Sequence, residues 1–346
     1  MITDEELELL RANPRFLARA LRERGIEVNI LDIENEIIEA EFAGHRELLL
    51  DIDSSLMPFA SSSIASSKSV TKLLLRRGGV SVPKGQRFLS DEVQEACAFA
   101  DLLGYPVVAK PSLGVQGELV HLDLSCALDL EWALRNIQEK RGVGEVLIEE
   151  QFFGKEYRVF YTQRGDYAVL HRDPAHVIGN GLNTIRELAE VESYRRMNPR
   201  INCLCPIELD EEASRYLRIH GMTLDTVPAE DAKVYLRSSS NIKMGGVATD
   251  VTDDVHPSVL DIARRALAAV PGLPYAGIDF MTEDISAEQS ERSYRVLEIN
   301  SLPGIGMHIN PAHGSSRDVA GMLVDLIFPE TCGNSRVSRE GIRRAA

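Results

Sequence analysis

Cysteine is scarce: five in 346 residues (Cys97, Cys126, Cys203, Cys205 and Cys332), spaced without rhythm. That count excludes a disulfide-framed scaffold. The close pair Cys203 and Cys205 has no second pair or histidine cluster to complete a zinc site, so it reads as structural. Long hydrophobic runs are missing too, with no apolar stretch of about eighteen residues that would span a membrane as a helix. The opening residues, MITDEELELL, are acidic and lack the basic segment and apolar core of a signal peptide. Together these readings predict a cytoplasmic protein. Positive charge is in deficit, 38 Lys and Arg against 53 Asp and Glu, for a formal charge of −15. General binding to nucleic acid or to an anionic membrane is thereby excluded; a local basic pocket for a phosphate is not. The P-loop spacing, the Gly-x-Gly-x-x-Gly fingerprint and a nucleophile elbow are all absent, and the eight histidines are scattered.

What remains is an ordinary globular composition, 44% apolar and 26% charged, in a chain long enough for one large domain or several lobes. Thr3 and Glu6 form a capping box ahead of a first helix, which should break near Pro14, resume over 16–24 and stop at Gly25. Residues 27–33, 36–42 and 47–52 read as strands, and the Ser-rich stretch 54–68 as a linker. A helix capped at Ser67 or Ser69 ends at Gly78-Gly79. Helices are expected over 91–103, 127–140, 184–196, 209–220, 258–269 and 316–328, with mostly antiparallel strands between them and no βαβ rhythm. The fold class is therefore α+β. The expected boundaries are a short N-terminal portion with linker (1–67), a central lobe (68–150), a C-terminal lobe (151–330) and a basic tail (331–346).

Residues 275–308 concentrate the chemistry. YAGIDF and YRVLEIN, separated by a polar connection, read as two neighbouring antiparallel strands. Residues two apart on a strand share a face, so Glu298 and Asn300 project together, and pairing would bring Asp279 beside them. Two carboxylates and an amide, all oxygen donors, suit Mg²⁺. Spacing alone leaves this open against a polar face turned to water. Lys110 ends the apolar strand YPVVAK before a loop holding Gly114 and Gly117, whose amides could approach phosphate. VLIEEQFFGKE ends a strand with Glu149 and Glu150, where backbone groups could meet an adenine edge, and the carboxylate of Glu156 further on could accept from ribose hydroxyls; a charged turn is the alternative. VYLRSSSNIKMGG supplies Arg237, Asn241 and Lys243, with Arg237 suited to phosphate or carboxylate.

In order, SKSVTKLLLRRGGVSVPKG, VLIEEQFFGKEYRV, HVIGNGLNTIREL, LDTVP with VYLRSSSN, TDDVHP and VLEINSLPGIGMHINPAHGSSRDVAGMLVDLIFP resemble the ATP-grasp carboxylate–amine ligases. The nearest likeness is to the ligase module of bifunctional glutathione synthetases and the amino-acid-adding module of cyanophycin synthetase, over residues 56–329. The resemblance implies an ATP-grasp fold, two α+β lobes clasping ATP, here with a short N-terminal α/β portion. It implies Lys68 and Lys110 on the ATP phosphates and Glu149, Glu150 and Phe152 as the adenine hinge, the last two chiefly through backbone, with Glu156 on the ribose. It implies Arg237 on the transferred phosphate, and Asp279, Glu298 and Asn300 on Mg²⁺, for which Mn²⁺ can substitute. Arg158, Ser239, Asn241 and His308 become candidates near the substrates. The implied reaction joins an amino-acid carboxylate to the amine of a second amino acid through an acyl phosphate, as in a γ-glutamyl or other dipeptide ligase; a homodimer is the implied assembly. A peptide-crosslinking ligase and a non-catalytic ATP binder are the alternatives. Two departures bear on this: Leu119 stands where relatives carry a second loop glycine, and Lys243-Met244 where they read Ser-Thr.

Overall fold

The computed structural model describes residues 2–113, 119–197 and 204–334. The glycines of the 114–118 loop, Cys203 and most of the expected tail lie outside them. The Thr3–Glu6 capping box forms, opening α1 (Asp4–Glu8). The break before α2 (Ala12–Glu23) falls at residues 9–11 rather than at Pro14. Pro14 sits in the first turn of α2, where its missing N–H leaves no helical bond unmade. Three antiparallel strands follow, β1 (Glu27–Asp32), β2 (Ile37–Phe42) and β3 (His45–Leu50). The Ser-rich stretch is not a bare linker: α3 (Phe59–Ala65) lies within it. Its serines find carbonyl partners, Ser61 Oγ donating to Pro271 O at 2.7 Å and Ser66 Oγ to Ser62 O at 3.0 Å, so they do not unwind the turn. Helix α4 (Lys68–Arg77) starts where expected, although Ser67 caps it without a side-chain hydrogen bond.

The central lobe is a four-stranded antiparallel sheet in the order β4–β7–β5–β6. Its elements are β4 (Gly85–Leu89), α5 (Val93–Leu103), β5 (Val107–Pro111), β6 (His121–Leu124), α6 (Ala127–Arg141) and β7 (Glu145–Glu150). Val107, Ala109, Val146 and Ile148 pack with residues of α5 and α6. Alternation turns Val108, Lys110, Leu147 and Glu149 to the other face. Leu119 holds a left-handed backbone (φ 56°) and packs against this lobe's core.

The C-terminal lobe centres on five antiparallel strands ordered β12–β9–β8–β13–β14. In chain order the elements are β8 (Lys155–Thr162), β9 (Tyr167–Asp173), β10 (His176–Ile178), α7 (Ile185–Arg196), α8 (Glu211–Ile219), β11 (Lys233–Tyr235), β12 (Val247–Asp250), α9 (Pro257–Ala269), β13 (Tyr275–Thr282), β14 (Tyr294–Asn300), α10 (Gly306–Ile309) and α11 (Val319–Ile327). The sheet's back face, with Tyr157, Val159, Val169, Ile278, Phe280, Val296 and Ile299, shares a core with residues of α4 and α9. A bulge between paired β13 and β14 lets Val296 and Ile299, an odd number of residues apart, face that same core. On the front face Phe160, Ala168 and Tyr275 join the core of the N-terminal sheet and α11, and a buried Arg24–Asp325 ion pair of 2.5 Å fastens α2 to α11. Strands β10 and β11 pair beside α7 and α8 around a small core of their own, with Val177, Ile185, Leu217, Val234 and Leu236.

Candidate active site

The strand pair of residues 275–308 forms as the alternation requires. Asp279 is in register with Glu298, and Asn300 with Gly277. Across β13 on the other side, Arg158 is in register with Asp279, and Glu156 of β8 with Arg172 of β9. The front face therefore carries a row of charges running over four strands. Arg158 Nε lies 2.6 Å from Asp279 Oδ1, and Arg172 Nη2 lies 3.2 Å from Asp279 Oδ2 while also pairing with Glu156. Ser240 donates to Glu156, so the loop after Arg237 is tied to the row. Gly277 is required here, because a Cβ would come within 2.8 Å of Arg158 Nη1 and 2.7 Å of Pro303 Cβ. Burial would push the Asp279 carboxyl up, but the guanidiniums of Arg158 and Arg172 outweigh it and hold the group below the usual carboxylate range.

A second charged cluster forms where the central sheet meets α4. Glu149 is buried, and its two oxygens serve two lysines: Oε2 lies 2.7 Å from Lys110 Nζ, and Oε1 pairs with Lys72. Lys72 is one turn beyond Lys68 on α4, and Lys68 Nζ lies 3.3 Å from Glu298 Oε1, linking the clusters. The close approach of β4 is possible because residue 85 is glycine; a Cβ there would stand 2.7 Å from Glu149 Cγ. Burial opposes charge on Glu149, yet Lys110 and Lys72 hold its carboxyl below the ordinary value. Lys110 is raised, Glu149 more than offsetting burial, whereas burial brings Lys72 down to about 7 despite Glu149, with Lys110 adding to the fall.

The other expected residues fall into place unevenly. The Glu150 carboxylate lies 3.1 Å from Arg295 Nε, the Arg295 guanidinium stacks 4.6 Å from the Phe152 ring, and the Glu150 N–H is given to Lys84 O at 2.8 Å. Arg237 is almost fully buried, with Nη2 at 2.6 Å from Glu208 O and 3.3 Å from Asp210 Oδ1. Ser239 is half-buried, Asn241 Oδ1 accepts from Lys243 N at 3.0 Å, and the Lys243 side chain is exposed. His308 is completely buried with no hydrogen bond to either ring nitrogen, edge-on to Phe160 at 6.0 Å. Lys72 and Arg172 were not expected. The four-residue step from Lys68 and the period-two step from Arg158 across a hairpin were the signals available for them. Surface clefts of about 460 and 520 Å³ contain none of the expected site residues, so the site rests on its chemistry rather than on concavity.

The residues of the row suit Mg²⁺. Asp279, Glu298 and Asn300 offer only hard oxygen donors from adjoining, registered positions. Among the described residues no group of three or more His, Cys, Asp or Glu side chains is placed to hold a metal ion.

No protein-family model matches the chain. It is 36% identical over 270 residues to cyanophycin synthetase of Trichormus variabilis, covering 77% of this chain and 29% of that protein. It is 32% identical over 336 residues to the bifunctional glutathione-biosynthesis protein of Clostridium perfringens, covering 94% of this chain and 41% of that one. The crystal structure of a bifunctional glutathione synthetase from Pasteurella multocida superposes with a TM-score of 0.68 at 28% identity, over 94% of this chain and 44% of that chain. The chain thus spans less than half the length of these relatives. Its two antiparallel sheets and its likeness to these proteins show an ATP-grasp fold, and the chain is similar to ligases built on it.

Proposed function

We propose that the chain joins the carboxylate of one amino acid to the amine of another at the expense of ATP, through an acyl phosphate, as a dipeptide or γ-glutamyl ligase. The observation that carries this reading is the meeting of two charged clusters, Lys110 and Glu149 of the four-stranded sheet with Lys72 of α4 on one side, and the part-buried Glu298 with the buried Asp279, Arg158 and Arg172 of the five-stranded sheet on the other, joined by Lys68–Glu298. Phosphoryl transfer calls mainly for positioning and charge neutralisation. Lys68 and Lys110 hold the ATP phosphates, Glu150 and Phe152 the adenine and Glu156 the ribose, while the Glu149 carboxylate is taken up by Lys72 and Lys110 rather than by the base. Arg158 and Arg172, both buried, neutralise charge gathering beside Asp279, and Arg237 serves the transferred phosphoryl group once released from Asp210. Asp279, Glu298 and Asn300 would hold Mg²⁺, which supplies charge neutralisation for the phosphates when bound. Ser239, Asn241 and His308 lie toward the amino-acid substrates. The acid attacks the γ-phosphorus and releases ADP; the amine then attacks the acyl carbon and releases phosphate. Closure of the central lobe keeps water from the acyl phosphate. We place this activity in the cytoplasm; no helix of the described residues is long and apolar enough to cross a membrane. The test is ADP release with a panel of amino-acid pairs, with the product identified by mass: turnover that depends on the pair and yields an amide is expected, and pair-independent or absent turnover would sink the reading.

A further inference from the structure

Lys72 is the buried charge that the reaction scheme leaves unused. It emerges from α4 one turn after Lys68, keeps 4% of its side chain exposed and ends on Glu149 Oε1. Glu149 lies deeper still, 2% exposed, and gives its other oxygen to Lys110 at 2.7 Å. Both oxygens of one buried carboxylate are thus divided between two ammonium groups, with Glu298 and Arg76 as the other charges acting on them.

The arrangement matters because of what Lys110 is asked to do. If Glu149 had Lys110 as its sole partner, the two would form a closed neutral pair. Turning the Lys110 ammonium toward a phosphate would then strand a buried carboxylate without a partner. With Lys72 on the opposite oxygen, the carboxylate stays neutralised while Lys110 moves. When Lys72 is protonated, the trio carries a net positive charge, which is available to an anion.

We propose that Lys72 is a positioning residue for nucleotide binding: it holds Glu149 so that Lys110 is free to engage the ATP phosphates. This rests on the reading of the two charged clusters as the ATP site. Lys72 itself touches no substrate in this scheme. Its role belongs to ATP and not to either amino acid, which separates it from a residue that merely supports the fold.

The experiment is equilibrium binding of Mg-ATP by calorimetry to the full chain and its variants, together with the KM of ATP and of both amino acids. Lys72→Met should weaken ATP binding roughly tenfold to a hundredfold, the worth of one charge-assisted contact, and leave both amino-acid KM values within about twofold. Lys72→Arg, which keeps the charge, should bind ATP near the wild-type level. Lys72→Met combined with Glu149→Gln should bind ATP more tightly than Lys72→Met alone, since no stranded carboxylate remains; it also serves where the single variant does not fold. Equal rises in all three KM values, or a double variant no better than the single, would overturn the proposal. Lys110→Ala separates the two levels of inference. If it weakens ATP binding while Lys72→Met does not, only the role of Lys72 fails. If Lys110→Ala binds ATP as wild type does, the two clusters are not the nucleotide site and both readings fall.

Discussion

The two faces of the five-stranded sheet are built from the same strands and are buried to similar depth, yet they differ in kind. On the back, Val159, Val169, Ile278, Phe280 and Ile299 are fully buried among apolar neighbours. On the front, at neighbouring positions of those strands, Arg158, Arg172 and Asp279 are each about 8% exposed. Apolar burial stabilises through the area removed from water, about 25 cal/mol per Å². The front face gains far less, because desolvating each charge consumes most of what its ion pair returns. A protein that needed only stability would fill both faces with aliphatic side chains. The difference teaches that the front face is kept charged for something other than the fold.

That comparison can be broken by substitution. Asn300→Ala and Glu298→Ala on the front face should each lower turnover by at least ~10²-fold while shifting the urea midpoint little. Retained turnover would remove these residues from the metal assignment. Ile278→Ala, one residue from Asp279 but on the back, should cost about 3 kcal/mol of stability by leaving a cavity. Its turnover per folded molecule should persist at temperatures where it remains native. If the two kinds of variant gave the same mixture of effects, the faces would not be functionally distinct.

His308 sharpens the comparison at the border between the faces, beside Phe160. Burial brings its ring down to about 3, with Arg158 and then Arg172 also disfavouring the charged form and Asp250 favouring it. In the unfolded chain a histidine takes up its proton near pH 6.5. Between pH 6.5 and about 3 the unfolded state therefore binds a proton that the folded state refuses, and stability is lost as the pH falls through that window. His308→Gln should flatten the fall in unfolding free energy between pH 6.5 and 4, measured by urea denaturation; parallel curves for the two proteins would refute it. The smallest effect belongs away from both faces. Thr184 accepts from Glu187 N in the capping box of α7, and Thr184→Ala should cost about 1 kcal/mol with no change in turnover. A change in turnover would show that the small β10–β11 unit feeds the site.

Much of the site was readable before the fold. Alternation put Glu298 and Asn300 on one strand face with pairing able to bring Asp279 beside them, and the strands do pair with Asp279 opposite Glu298. The Thr3 capping box and the end of α4 at Gly78 were equally legible, because capping and chain reversal are local properties. The helix hidden in the Ser-rich segment was not, since its serines are held by carbonyls such as Pro271 O, 210 positions away in sequence. Arg172 and Lys72 were missed for the same reason. Neither stands out within its own segment, and each acquires its partner only when another strand or lobe is brought alongside.

The sequence by itself therefore determined which side chains share a face: period two on a strand and period four on a helix are fixed by backbone geometry. It determined the oxygen-donor chemistry of residues 279–300 and the lysines upstream. Only the tertiary structure decided that the charged face is buried rather than solvated, that Arg158 and Arg172 stand over Asp279, and that Glu149 divides itself between Lys72 and Lys110. Those are decisions about which strand lies next to which. They depend on contacts between residues far apart in the chain, which no local pattern encodes.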